Sequence, residues 1–319
     1  MSVVVGCSFF DGVMLASDCR GTIEYPDGSF SYSDNVQKLF ALTPTTSVGF
    51  VGDVVSAGIM LRDCINQIRK RDKKDAVSLA SWLPRYFRAR YARLQLRKPS
   101  CKLAFMVASI IIGRPNVIER EKVIKIMNRL MKGESPVQRN WLPGVLVNIL
   151  KTPANIKYVR LVDQPRCLLY ILQSPKFIPR HLMPLEFAAI GSGQEVTIEV
   201  DRYHDIIFAG EVGNPFMESL HLTECMRSFI RKQNIETVGG LYPCLKINKD
   251  GTKLLGRSSE IPVGGTKINL ECDSMGRWTQ RNLTTGKTIQ LLFPWEAYSQ
   301  DERFDDLDDA LRNMRGNNN

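Results

Sequence analysis

Along the first fifty residues, apolar runs of four to seven residues alternate with short polar breaks, a pattern of buried strands. Val3 to Phe9 and Val13 to Ala16 are apolar and joined by Asp11-Gly12, a strong hairpin signal. Gly21 to Asp34 is polar and turn-rich, with Pro26-Asp27-Gly28 in its middle. A third extended run spans Val36 to Leu42, and Ser47 to Val51 resumes after Pro44 and closes on Gly52. The period then changes. Leu61, Cys64, Ile65 and Ile68 recur at helical spacing, as do Leu83, Phe87, Tyr91 and Leu94. Leu103 to Ile112 returns to strand character, rich in β-branched residues.

Residues 114–165 differ in character and are punctuated by Pro143, Pro153 and Pro165. Ile118 to Lys132 reads as a helix and Trp141 to Lys151 as a second, so the stretch is expected to be a helical lobe inserted between two core strands. Strands follow at Leu168 to Leu172 and Glu186 to Ile190, the latter running into the turn Gly191-Ser192-Gly193. An amphipathic helix is expected around Leu222, Met226, Phe229 and Ile230. A strand through Ile247 then turns at Lys249-Asp250-Gly251. Lys267 to Leu292 alternates as a β-hairpin around Leu283 to Lys287, and the polar tail after Ser299 is expected to be disordered. Strands, two helices, strands, two helices, strands is the order of an α+β chain with helices outside two packed sheets, a four-layer arrangement.

Composition narrows this little. The chain has no run of about 18 apolar residues, so no transmembrane helix is expected. Its start lacks the basic-then-apolar pattern of a signal peptide. The eight cysteines fall among apolar neighbours, with no Cys-x-x-Cys pair, and read as reduced thiols of a cytoplasmic protein. His181, His204 and His221 have no zinc-site spacing, and neither metal nor cofactor is expected. The net charge of +10 raises nucleic-acid binding, through Arg85, Arg88, Arg90, Arg93 and Arg97 with Tyr86 and Tyr91 on one helix. No recognised nucleic-acid motif accompanies them, and a charged outer helix is more commonly a solvated or subunit-contact face.

The chemistry sits near the start. Ser2-Val3-Val4-Val5-Gly6 followed by Asp11-Gly12-Val13-Met14-Leu15-Ala16-Ser17-Asp18-Cys19-Arg20 resembles the opening of proteasome β-subunits and their bacterial relatives. In that family the mature chain begins with a threonine or serine nucleophile. Val36-Gln37-Lys38-Leu39 fits the family's lysine strand, Gly52 its strand-closing glycine, and Gly191-Ser192-Gly193 its Gly-Ser-Gly turn. The resemblance covers residues 1–113 and 166–256, which implies an N-terminal-nucleophile hydrolase core in a four-layer αββα sandwich. It leaves out the 114–165 insertion, the 257–298 β extension and the 299–319 tail.

It also implies a mechanism. Ser2 becomes the nucleophile once Met1 is removed, with its own α-amine as base. That amine has an ordinary pKa of about 7.7–8.0, close to working pH. Lys38 would keep the amine basic, Asp18 would hold Lys38, and the Gly52 N–H would receive the oxyanion. Ser192 would hydrogen-bond near the Ser2 amine and assist proton transfer, and Arg20 would anchor the strand end. Gly21, Val36, Phe50 and Val54, by family position, would line the substrate pocket and favour an uncharged or apolar residue before the scissile bond. Peptides or unfolded protein would be the substrate, in a homo-oligomeric ring served by an unfolding ATPase. The family's Asp-x-x-Ser-Gly-Gly motif is incomplete here, where Ile235-Glu236-Thr237-Val238-Gly239-Gly240 keeps only the glycines. Two alternatives stand beside the peptidase: an inactive ring or scaffold subunit of the same fold, and a small-molecule amidase.

Overall fold

The computed structural model describes residues 2–9, 11–24, 29–72, 74–96, 101–131, 151–192, 195–196, 215–236, 238–240, 242–255, 262–263, 266–273, 276–283 and 285–297. The chain is mixed α and β, with several antiparallel sheets and five helices among these residues. The expected second helix of the insertion, Gly193 and the 299–319 tail lie outside the described residues.

The opening hairpin forms as the Asp11-Gly12 signal predicts: β1 (Val3–Ser8) pairs with β2 (Gly12–Ser17), and every residue of both is buried. Strands covered on both faces read as unbroken apolar runs, which is why the sequence shows no alternation here. The polar stretch that follows is itself a hairpin, β3 (Gly21–Glu24) with β4 (Phe30–Ser33). Then come β5 (Leu39–Thr43) and β6 (Thr46–Gly52), followed by helices α1 (Val54–Arg69) and α2 (Ala76–Gln95). Both helices have aspartate N-caps: Asp53 accepts from the Ser56 N–H, and Asp75 from those of Val77 and Ser78.

Strands β7 (Leu103–Glu119) and β8 (Tyr158–Gln173) are much longer than the sequence pattern marks, and they pair from Ala104↔Gln173 out to Glu119↔Tyr158. Part of the segment expected as a separate lobe is therefore a continuation of two core strands. Pro115 and Pro165 sit at an irregularity in this ladder, where a missing N–H is tolerated. Helix α3 (Arg120–Met131) follows β7 directly. The chain continues through β9 (Arg180–Leu182), β10 (Phe187–Gly191), α4 (Pro215–Gln233), β11 (Cys244–Asn248) and β12 (Gly251–Leu255). It ends in β13 (Pro262–Val263), β14 (Thr266–Cys272), β15 (Trp278–Asn282), β16 (Thr288–Gln290) and the short α5 (Pro294–Ala297). No described helix is long and apolar enough to cross a membrane.

One five-stranded sheet has the order β10-β1-β2-β11-β12 and the other β5-β6-β7-β8-β9. Strand alternation sorts their side chains into three apolar clusters. Val3, Val5 and Met14 pack with Val123 of α3 and with Leu222, Met226 and Phe229 of α4. Val4 and Leu15 meet Met106, Ala108, Leu169 and Ile171 between the two sheets. Phe50, Phe105, Val107 and Tyr170 pack with Leu61, Leu83 and Phe87 of α1 and α2. Successive residues of one strand thus serve different clusters.

The C-terminal strands close on the lysine segment rather than standing apart. Val36 forms a parallel bridge with Leu292, the Gln37 N–H donates to the Leu292 carbonyl at 2.8 Å, and the Leu292 N–H donates to that of Asn35 at 2.8 Å. Phe293 and Trp295 stack with Phe40, at ring-centroid distances of 6.0 and 5.9 Å.

Candidate active site at the head of β1

Ser2 stands at the head of β1 and is 2% exposed. Asp18 follows the end of β2, and because β1 and β2 are hairpin neighbours its carboxylate returns to the start of β1. There Oδ1 accepts the Val3 N–H at 2.9 Å and Oδ2 the Arg20 N–H at 3.1 Å. The Gly239 N–H adds a longer contact to Oδ2 at 3.4 Å. Lys38, just before β5, reaches the same carboxylate with Nζ 2.9 Å from each oxygen, and donates to the Arg20 carbonyl at 2.5 Å. Both side chains are wholly buried. A buried ammonium and carboxylate are costly unless paired and hydrogen-bonded, and this pair has both forms of compensation.

Arg20 turns outward and makes a two-point contact with Asp34, Nε to Oδ1 at 2.5 Å and Nη2 to Oδ2 at 2.8 Å. It also donates to the Glu236 carbonyl and lies over the Tyr32 ring. The Arg20 guanidinium holds the Asp34 carboxyl below the usual carboxylate range, and Asp34 in turn raises Arg20. Burial, opposed by Lys38, pushes the Cys19 thiol well above its ordinary range, which leaves it an inert neighbour. Burial and then the Asp18 charge raise Tyr242.

Ser192 is brought to Ser2, but to its carbonyl rather than its amine. The Ser192 N–H and Oγ both face the Ser2 oxygen, at 3.0 and 3.3 Å. Gly191 makes this approach possible: its φ is +95°, and a Cβ there would lie 1.9 Å from the Ser2 carbonyl oxygen. The same hypothetical Cβ would lie 3.1 Å from Val51, so the end of β6 borders this corner. Gly52, next along, has φ +108° and would place a Cβ 2.0 Å from the Lys102 carbonyl oxygen. The packing of β6 on β7 is thus sufficient reason for that glycine.

The four expected pocket residues sit on β3, the segment before β5, β6 and the start of α1. Phe50 belongs to the helix-side cluster with Phe40, because strand alternation gives Val51, not Phe50, to the face between the sheets. Val36 is fully buried at its bridge to Leu292, Gly21 is buried at the start of β3, and Val54 opens α1, half-buried against the helix-side cluster.

Sequence reasoning missed three supports. Asp34 holds Arg20, and Gly239 contributes its N–H to Asp18 and its carbonyl to the Cys19 N–H at 3.0 Å. The third is Gln37, wholly buried, whose Nε2 donates to the carbonyls of Gly276 and Leu39 at 2.7 and 3.0 Å. Its Oε1 accepts the Trp278 N–H at 3.2 Å. A polar pair, Gln37-Lys38, between apolar Val36 and Leu39 was the signal available for Gln37.

With this geometry in place, comparison with solved structures is informative. A structure of an Anbu (Gly-1) mutant from Hyphomicrobium sp. strain MC1 superposes with a TM-score of 0.50 at 10% identity, over 99% of this chain and 96% of that one. The fold is similar to that of Anbu. Anbu (ancestral beta-subunit) from Yersinia bercovieri gives 0.49 at 11% identity, over 79% of this chain and 86% of that one. No family model and no curated protein matches the chain.

These findings correct the resemblance to proteasome β-subunits and their bacterial relatives as a family assignment. What is shared with Anbu at 10% identity is a fold. The physical reason lies in what the opening motif does. Asp11-Gly12 makes a hairpin, the following apolar residues fill two clusters, and Asp18 serves backbone N–H groups and a buried lysine. Each is a structural task within this chain's own fold, so the pattern reports architecture without fixing a family.

Proposed function

We propose that the chain is a hydrolase of amide bonds in peptides, with Ser2 as nucleophile once Met1 has been removed. The observation that carries this reading is the wholly buried Lys38–Asp18 pair, bonded to the backbone N–H of Val3, immediately after Ser2. A buried ion pair contributes little to stability over an apolar replacement, so its position against the first strand is better explained by chemistry there. In the four-layer arrangement proposed here, helices cover two sheets and the chain terminus stands at the head of β1, an inner strand of its sheet.

In the proposed reaction the free α-amine of Ser2 takes the Oγ proton as Oγ attacks the substrate carbonyl. The neighbouring positive charge of Lys38 disfavours a second positive charge on that amine and so keeps it basic. The Gly52 N–H at the end of β6 receives the oxyanion. The amine returns its proton to the leaving nitrogen, and water then hydrolyses the acyl-serine ester. Ser192 holds the Ser2 carbonyl, which makes it a positioning residue in this scheme. The proposed pocket is Gly21, Val36, Phe50 and Val54, with a preference for an uncharged or apolar residue before the scissile bond. A cytoplasmic, ring-forming enzyme fed by an unfolding ATPase remains the setting proposed for it.

One observation favours a second reading, an inactive scaffold subunit of the same fold: at 2% exposure, Ser2 presents almost no surface to a substrate. Hydrolysis of a panel of short fluorogenic peptides separates the two. The hydrolase reading expects turnover that is lost in Ser2→Ala and is faster for apolar than for charged residues before the bond. Turnover undiminished in Ser2→Ala contradicts it.

A further inference from the structure

On α2, Arg85 and Arg88 are exposed, whereas Arg90 and Arg93 are partly buried. Arg88 donates through Nε to the Lys176 carbonyl at 2.7 Å, Arg85 to the Ser81 carbonyl at 3.1 Å, and Arg90 is ion-paired with the buried Asp63 of α1. Tyr86 completes this last group, its hydroxyl donating to Asp63 at 2.6 Å. Beside it, between the C-terminal end of α1 and the outer face of α2, lies a groove of about 260 Å³. Gln67, Arg71, Trp82, Tyr86, Arg90 and Arg93 line it. Arg71 lies over the Trp82 ring at 4.6 Å, and Trp82 packs on Tyr86 with ring centroids 4.6 Å apart.

Two donors in this wall are unused. Arg71 Nε and Arg90 Nη1 are buried without a hydrogen-bond partner among the described residues. A buried guanidinium N–H without an acceptor is costly, and three arginines around one groove call for an anion there. Planar guanidinium forks backed by aromatic faces match carboxylates, with room beside them for an apolar side chain.

The chain carries a complement. Residues 301–309, Asp-Glu-Arg-Phe-Asp-Asp-Leu-Asp-Asp, hold six carboxylates against one arginine, with Phe304 and Leu307 between them, in a chain whose net charge is +10. Helix α5 delivers the chain to α1, since Pro294 packs against Gly58. From Gly58 to Arg71 is roughly 20 Å at 1.5 Å per residue. Asp305 is eight residues beyond Ala297, a reach of up to about 26 Å when extended.

We propose that this groove is a docking site for the acidic segment 301–309 of the same chain, whose carboxylates meet Arg71, Arg90 and Arg93. The contact ties the C-terminus across α1 and α2 and neutralises a groove lined by three arginines. It does not depend on the Ser2 chemistry.

Carbodiimide cross-linking of the full chain, mapped by peptide mass spectrometry, tests it. The exposed lysines Lys70 and Lys74 flank Arg71 and serve as reporters. Cross-links from carboxylates of 301–309 to Lys70 or Lys74 are expected, weakened about tenfold in Arg71→Gln/Arg93→Gln and by 0.5 M salt. An unchanged melting temperature shows that the double variant is folded. Should it not fold, neutralising the tail (Asp305→Asn, Asp306→Asn, Asp308→Asn, Asp309→Asn) provides the second arm. That variant is expected to increase exchange of the amides of residues 82–93. Tail carboxylates that cross-link only elsewhere, or links undiminished in the double variant, overturn the proposal. Links found only between isotopically distinct copies also overturn it, in favour of a second chain as the occupant. Unchanged exchange in the neutral-tail variant overturns it as well.

Discussion

The buried ion pair makes an asymmetric prediction about stability. Asp18 accepts from Lys38 and from the N–H groups of Val3, Arg20 and Gly239, whereas Lys38 donates to Asp18 and the Arg20 carbonyl. In Lys38→Met, the carboxylate keeps three backbone donors and the lost ammonium is replaced by an apolar chain of similar length. In Asp18→Asn, a wholly buried ammonium is left with neutral partners, and an amide NH₂ is turned toward donors. Breaking a buried pair costs about 3–5 kcal/mol when the remaining charge is uncompensated. Asp18→Asn should fall in that range. With its carboxylate still hydrogen-bonded, Lys38→Met should cost less, about 2 kcal/mol. The double variant leaves neither charge behind, so a double-mutant cycle should return a coupling of about 2 kcal/mol. Urea unfolding at pH 7, followed by far-UV circular dichroism, measures all four proteins. Additive single effects, within about 0.5 kcal/mol, would refute the reasoning, as would a Lys38→Met variant less stable than Asp18→Asn.

Other expectations follow from single contacts. Gly191→Ala places a methyl group on the Ser2 carbonyl at a positive φ, and should cost about 2–3 kcal/mol; unchanged stability and peptide turnover would contradict its role in seating Ser2. Gln37→Ala strips partners from the Gly276 carbonyl and the Trp278 N–H, a loss of about 1–3 kcal/mol. Hydrogen exchange should accelerate over residues 276–297 together with Val36–Phe40, and protection unchanged in both would count against the clamp. Asp34 has a depressed folded-state pKa, so its contribution is present above the ordinary carboxylate range near pH 4 and is lost as pH falls through the folded value. With the Asp34 side chain 51% exposed, the effect is below about 1 kcal/mol. Asp34→Asn should lower the urea midpoint at pH 7 but flatten its decline between pH 5 and 3, and an equally steep decline would contradict this.

Much of the candidate site was legible because local sequence carries it. The Asp11-Gly12 turn sets the register of β1 and β2, and that register alone returns Asp18 to Val3. The Lys38–Asp18 pairing was legible only through the resemblance; the distance between them is decided by how the second sheet packs on the first, which no local pattern states. The same limit holds for the face that Phe50 takes, which depends on which side of β6 the helices occupy. Strands β7 and β8 were underestimated because polar residues and prolines past Ile112 mark a loop locally, although cross-strand pairing carries both strands on to Glu119 and Tyr158. The role of the C-terminal hairpin was hidden for another reason. Its contact with Gln37 joins residues about 240 positions apart.

The most direct test of the N-terminal serine is the intact mass of the purified protein before and after treatment with an epoxyketone, which reacts with a free N-terminal hydroxyl–amine pair. The account predicts loss of Met1, then a single adduct that is absent from Ser2→Ala. Retention of Met1 with no adduct would contradict it, because the α-amine required as base would be locked in a peptide bond.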